Sequence, residues 1–206
     1  MKHLLALRDG HWGEWERLLG HPFLRRLRAG NVSERGVYAW MEQNYRFVEG
    51  LLELQAQLMP RAPRAHRLVL AHGLVGIVED LDWMAVQPID LDAPAHPARE
   101  RYLAFLRLLG QEPYPVSAVS LWAINRTFHD AWSSAAPDGG PFVDLVEHWT
   151  APEFHAYLHD LAEVAEEGWL TASSEERARI HALIEEILRL EWSSWDMAQA
   201  FASQYG

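Results

Sequence analysis

The sequence predicts an all-α chain, a single-domain multi-helix bundle over residues 1–206. Three observations predict it. Apolar residues recur at three- and four-residue spacing through most of the chain. Strand-like alternation is nearly absent. Pro60, Pro63, Pro88, Pro94, Pro97, Pro113, Pro115, Pro137 and Pro152 fall between the periodic segments, where they do least harm to helices. The spacing places eight helices, at roughly 9–19, 33–59, 65–85, 97–109, 116–135, 139–149, 152–169 and 173–203.

Each segment carries its own signals. Ser33 before Glu34-Arg35 is an N-cap for the second helix, whose seam reads Val37, Met41, Asn44, Val48, Leu51, with Phe47 beside Asn44. The third holds the longest apolar stretch, Leu68 to Val78, broken by His72 and two glycines. It falls short of the roughly 20 residues that span a bilayer. It ends in Glu79-Asp80-Leu81-Asp82, which reads most simply as a solvated helix end. The loop from Gln87 to Pro97 is the longest break and too short to divide domains. The fourth helix aligns Tyr102 with Phe105, Leu106 and Leu109. The fifth reads Ala118, Leu121, Trp122, Asn125, Phe128, His129, Trp132, and the sixth Phe142, Leu145, Val146, Trp149. The seventh buries Phe154, Tyr157, Leu158, Leu161 and Ala165, so His155, His159 and Glu163 face away despite their metal-ligand spacing. The last starts at Ser173 or Ser174. One of its faces runs Ile180, Ile184, Ile187, Glu191, Trp195, Ala198.

Composition narrows the function. The chain has 29 acidic and 18 basic residues, a formal charge of −11, so neither nucleic acid nor an anionic membrane surface is an expected partner. With no cysteine, disulfides, zinc–thiolate sites and a cysteine nucleophile are excluded. Met1 to Gly10 lacks the apolar core of a signal peptide, and a cytoplasmic protein is expected.

Glu191 is the anomaly. A carboxylate centred on an apolar helix face must be paired, hydrogen-bonded or protonated. Asn44, Asn125, His129 and Tyr102 interrupt other seams in the same way. If these seams face one another, they enclose a polar-edged interior walled by Phe47, Phe128, Trp149 and Trp195, suited to a small flat ligand. The alternative is that these groups satisfy one another as structural polars. Trp122 belongs with the substrate-binding set on the same seam. No metal or other cofactor is expected.

Five stretches resemble the TenA family, whose fold is haem-oxygenase-like and whose members include thiaminase II. They are His21-Pro22-Phe23 with Gly30 to Ser33; Met41 to Phe47; Pro97 to Leu106 around Tyr102; Val146 to Phe154; and Leu190 to Ala198, the most specific. The resemblance implies hydrolysis of an aminopyrimidine in thiamine salvage and a homo-oligomer, a dimer or tetramer. It also implies a pocket with a carboxylate where Asn44 stands, tyrosines at Phe47 and Trp149, a tyrosine at Tyr102, a cysteine nucleophile near Asn125 and a glutamate at Glu191. Only Tyr102 and Glu191 match. A second branch carries glutamate instead of the cysteine, in a stretch like Leu121 to Trp132, and Asn125 departs from that branch too.

Two functions follow from these readings. One is a divergent hydrolase of a pyrimidine-like heteroaromatic, with Glu191 as acid and base, an activated water as nucleophile, and Asn44, Phe47, Tyr102, Trp122, Asn125, Phe128, His129 and Trp149 holding the ligand. The other is a pyrimidine-binding or regulatory protein that has lost the chemistry. A metal-dependent oxidase, using Glu191, Glu79 and His129, is a third and weaker reading.

Overall fold

The computed structural model describes residues 1–136 and 142–205. Among them are ten α-helices: α1 Lys2–Gly10, α2 Trp12–Leu19, α3 Pro22–Arg28, α4 Glu34–Leu58, α5 Arg67–Ala85, α6 Pro97–Leu109, α7 Tyr114–Ser134, α8 Val143–Trp149, α9 Pro152–Thr171 and α10 Ser174–Gln204. A 3-10 turn, Met59–Arg61, follows α4. No strand occurs among the described residues. Pro137 and the first three residues of the helix predicted at 139–149 lie outside them.

Two helices were not predicted, α1 and α3. Both have unusual starts. The α3 N-cap is His21, whose ring Nδ1 accepts from the Phe23 N–H at 3.1 Å, with Pro22 at the first helical position. The same device opens α6, where His96 Nδ1 accepts from the Ala98 N–H at 3.1 Å before Pro97. A histidine cap satisfies a free N–H as a serine does, but lies outside the usual cap set. The start of α1 is tied from a distance, its His3 and Leu4 N–H groups both donating to Glu166 on α9. Pro115 sits in the first turn of α7 rather than before it, where no intrahelical N–H is needed.

α4, α7 and α10 form the centre. α9 and α5 flank them, with α9 on α7 and α5 on α4, and α6 closes the α4–α10 side. One cluster of buried apolar side chains runs from Leu4 to Ala202. Its heart is four tryptophans from four helices. Trp40 stacks on Trp195 (centroids 5.6 Å, 13°), Trp132 lies 4.5 Å from Trp149, and Trp40 meets Trp149 edge-on. α5 approaches α4 and α9 at Gly73, where a Cβ would collide with Gln55 and Tyr157. No helix among the described residues is long and apolar enough to cross a membrane.

Candidate functional site

Glu191 is 3 % exposed, inside the bundle between α10, α4 and α6. The Tyr102 hydroxyl donates to Glu191 Oε1 at 2.6 Å. Tyr102 lies on α6, and Arg99 is one turn before it, on the same face. Arg99 is fully buried, with its guanidinium carbon 4.7 Å from the Phe47 ring centroid and 5.9 Å from that of Tyr102. Burial pushes the Glu191 carboxyl up to about 7, and the Tyr102 bond and the Arg99 charge only partly offset it. Burial, then the neighbouring carboxylate, drives the Tyr102 phenol well above its ordinary value, so it keeps its proton and donates. Burial lowers Arg99 to about 10, which leaves it a cation at neutral pH. A carboxyl that titrates near neutrality can both take and return a proton.

Two cavities adjoin at Phe47 and Phe128, whose side chains line both. The smaller holds Glu191, Tyr102, Arg99, Asn44, Ser194, Trp40 and Trp195, and its volume is about 10 Å³. That is room for about one water molecule. The larger is about 350 Å³, enough for a small heterocycle. Its aromatic walls are Phe47, Phe128, Trp149, Phe154 and Tyr157, and Glu79, Asp80 and Glu153 add carboxylates. The predicted seams therefore enclose two spaces, not one.

Each expected site residue has a definite place. Asn44 is buried at the small cavity, and its amide reaches the Met84 sulfur at 3.7 Å. Asn125 lines the large cavity, with its amide donating back to the Leu121 carbonyl of its own helix at 2.9 Å. Trp149 is a wall of the large cavity. Trp122 and His129 line neither cavity. Trp122 is buried elsewhere in the core, and His129 is half-buried beside Phe154 and His155 of α9, each 5.8 Å away. The reason is that α7 is buried on most of its circumference, so periodicity names no single inward face. His155 and His159 are exposed, as expected.

Three residues escaped the sequence reading. Asp80, read as part of a solvated helix end, instead lines the large cavity and ties down its wall. Its Oδ1 accepts from His148 Nε2 at 2.8 Å and from Trp149 Nε1 at 3.1 Å. His148 in turn stacks on Trp83, centroids 3.7 Å apart at 11°. Arg99 had a signal: with Tyr102 and Leu106 it keeps the three- and four-residue spacing of one helix face. Asp80 and His148 had none, because their pairing joins α5 to α8. The three ligands of the metal-oxidase reading are dispersed. Glu191 is at the small cavity, Glu79 at the large one, and His129 at neither. Among the described residues no group of three or more His, Asp or Glu side chains could hold a metal ion.

No protein-family model and no curated protein matches the chain. Solved structures do. A TenA homologue from Pyrococcus furiosus superposes with a TM-score of 0.88 at 20 % identity, covering 94 % of this chain and 98 % of that one. A TenA-like thiaminase candidate from Sulfolobus solfataricus P2 gives 0.80 at 12 %, over 96 % and 97 %. A TenA family transcription regulator from Silicibacter sp. TM1040 gives 0.79 at 13 %, over 94 % of each chain. Superposition over nearly the whole of both chains shows that this chain has the fold of the TenA homologues.

Proposed function

We propose that the chain is a divergent TenA-family protein of thiamine metabolism that hydrolyses an aminopyrimidine or a related small heteroaromatic compound. The observation that carries this reading is Glu191: buried, held by Tyr102, titrating near 7, and next to an aromatic cavity of ring size. On this reading the ring stacks between Phe47, Phe128 and Trp149, and Asn125 orients its edge. A water takes the part of the family's thiol. Glu191 removes a proton from that water as its oxygen bonds the nitrogen-bearing carbon of the ligand. It returns the proton to the nitrogen as the carbon–nitrogen bond breaks and ammonia leaves. Tyr102 keeps the carboxyl oriented, and Asn44 supports the small cavity. Trp122 and His129 have no contact role. The chain is one cytoplasmic domain and assembles as a homo-oligomer, a dimer or tetramer.

The test is incubation with aminopyrimidine and formylaminopyrimidine substrates. Turnover that disappears in Glu191→Gln supports the reading. No turnover by the wild type, or turnover unchanged in the variant, overturns it.

Asn44 and Asn125, standing where the family pattern has an acid and a nucleophile, favour a second reading: a pyrimidine-binding protein without chemistry. Thermal stabilisation by pyrimidines or thiamine fragments, with no product formed, is its signature.

A further inference from the structure

The small cavity collects donors that have no acceptor. Arg99 Nε, Ser194 Oγ and Trp195 Nε1 are each buried without a hydrogen-bond partner, and all three residues line it. Buried polar groups are nearly always satisfied, so three unmet donors at one cavity point to what the cavity takes. It takes an acceptor. Arg99 adds a sign. Among the described residues it makes no ion pair, and Glu191 acts on it as a neighbouring charge without a direct contact. A buried cation without a contact counter-ion selects an anion. The stacking of Arg99 on Phe47 leaves its in-plane Nε–H for one. The cavity admits about one oxygen-sized occupant, and among the described residues Phe47 and Phe128 line both it and the larger cavity. An occupant of the larger cavity can therefore extend one small group past these rings.

We propose that the small cavity takes one oxygen of a carboxylate carried by a heteroaromatic ligand whose ring occupies the larger cavity, with Arg99 as the counter-charge and Ser194 and Trp195 as neutral donors. This names a ligand class that the site holds without hydrolysing it, because the bound oxygen takes the place of the activated water, and it rests on the reading that the larger cavity holds a pyrimidine-like ring. Glu191 then acquires a second task. The titratable groups facing it are Arg99 and Tyr102, both from α6; the lining residues from α4 and α7 carry none. An anion bound beside Glu191 favours its neutral form, so binding takes up a proton. Affinity for the carboxylate must rise as the pH falls toward 7.

The experiment measures affinity by calorimetry for 4-aminopyrimidine-5-carboxylate and for the matching 5-hydroxymethyl compound, on the full chain. At pH 7.5 the carboxylate should bind at least about tenfold more tightly, the cost of one tenfold step being about 1.4 kcal/mol. Arg99→Met should abolish that preference, and Arg99→Lys should keep part of it. A hydroxymethyl compound that binds as tightly as the carboxylate overturns the inference while leaving the pyrimidine reading intact. If neither compound binds, the pyrimidine reading fails, and formate decides the inference. Stabilisation of the wild type by formate but not by chloride, lost in Arg99→Met, upholds an anion site. Equal effects of formate on both proteins overturn it. Should Arg99→Met not fold, the wild type still decides. Between pH 8.5 and 7.5 carboxylate affinity should rise by up to about tenfold, with the hydroxymethyl compound flat. A flat carboxylate profile overturns the inference.

Discussion

Two carboxylates sit against aromatic rings in this protein, and they are held in opposite ways. Glu191 accepts one neutral hydrogen bond, from Tyr102, and is almost without solvent. Asp80 accepts two on one oxygen, from His148 and Trp149, and its side chain is 19 % exposed. The first is under-compensated, so burial dominates and its proton is exchangeable near neutral pH. The second spends its acceptor capacity holding an indole and an imidazole in place. The lesson is that a carboxylate's place beside a cavity does not decide its role; the number and charge of its donors do.

The largest expected effect tests that contrast in turnover. If Glu191 moves the proton, Glu191→Gln should lower kcat by about 10²–10⁴-fold, with ligand stacking retained. Asp80→Asn keeps an acceptor for Trp149 and should lower kcat by no more than a few-fold. Equal losses in the two variants would dissolve the distinction.

The next effect is thermodynamic. The folded protein holds the Glu191 proton to about pH 7, whereas the unfolded chain releases it near the ordinary glutamate value. The native state therefore binds more protons between those pH values, and stability falls as the pH rises through that window. The total is about 3 kcal/mol as an order of magnitude. Glu191→Gln, which accepts from Tyr102 without a charge, should be more stable than wild type at pH 8, and the gap should close toward pH 4.5. Denaturant melts of both proteins at several pH values would read it. A gap that does not vary with pH would remove the buried-acid account of Glu191.

Tyr102→Phe separates the partners. Its hydroxyl favours the ionised form of Glu191, so its loss should move the Glu191 titration further up and destabilise the fold by about 2 kcal/mol at pH 8. The acid-side limb of the activity profile is the readout, and a limb that stays in place would mean that Tyr102 does not act on Glu191.

How much of this was legible in sequence depends on how each helix is buried. α10 has a face of Ile180, Ile184, Ile187, Trp195 and Ala198, all buried, so Glu191 stands out against it. α4 is equally readable, and Asn44 is buried where its seam puts it. α7 is enclosed on most sides, so Trp122 and His129 could not be told from Asn125 and Phe128 by spacing. α1 and α3 were missed because one is fastened by Glu166 from across the fold and the other by a histidine cap. Arg99 was passed over because a charge in a first helical turn ordinarily faces solvent. Asp80 was passed over because its partners lie 68 and 69 residues away, on α8.

The smallest effect sharpens the other side of the comparison. Asp80→Ala frees His148 Nε2 and Trp149 Nε1. Both lie near accessible space, where water can replace the lost acceptor, so the cost should be only about 1 kcal/mol, at the low end for unmade hydrogen bonds. The functional effect should run through geometry instead. Trp149, released from Asp80, loses its fixed orientation as a wall of the larger cavity, and ligand binding should weaken while the pH dependence set by Glu191 stays in place. A several-fold rise in Kd or KM with an unmoved pH profile fits a positioning carboxylate. A displaced profile would mean that Asp80 does more than hold Trp149 and His148 in place, and the contrast between the two carboxylates would fall.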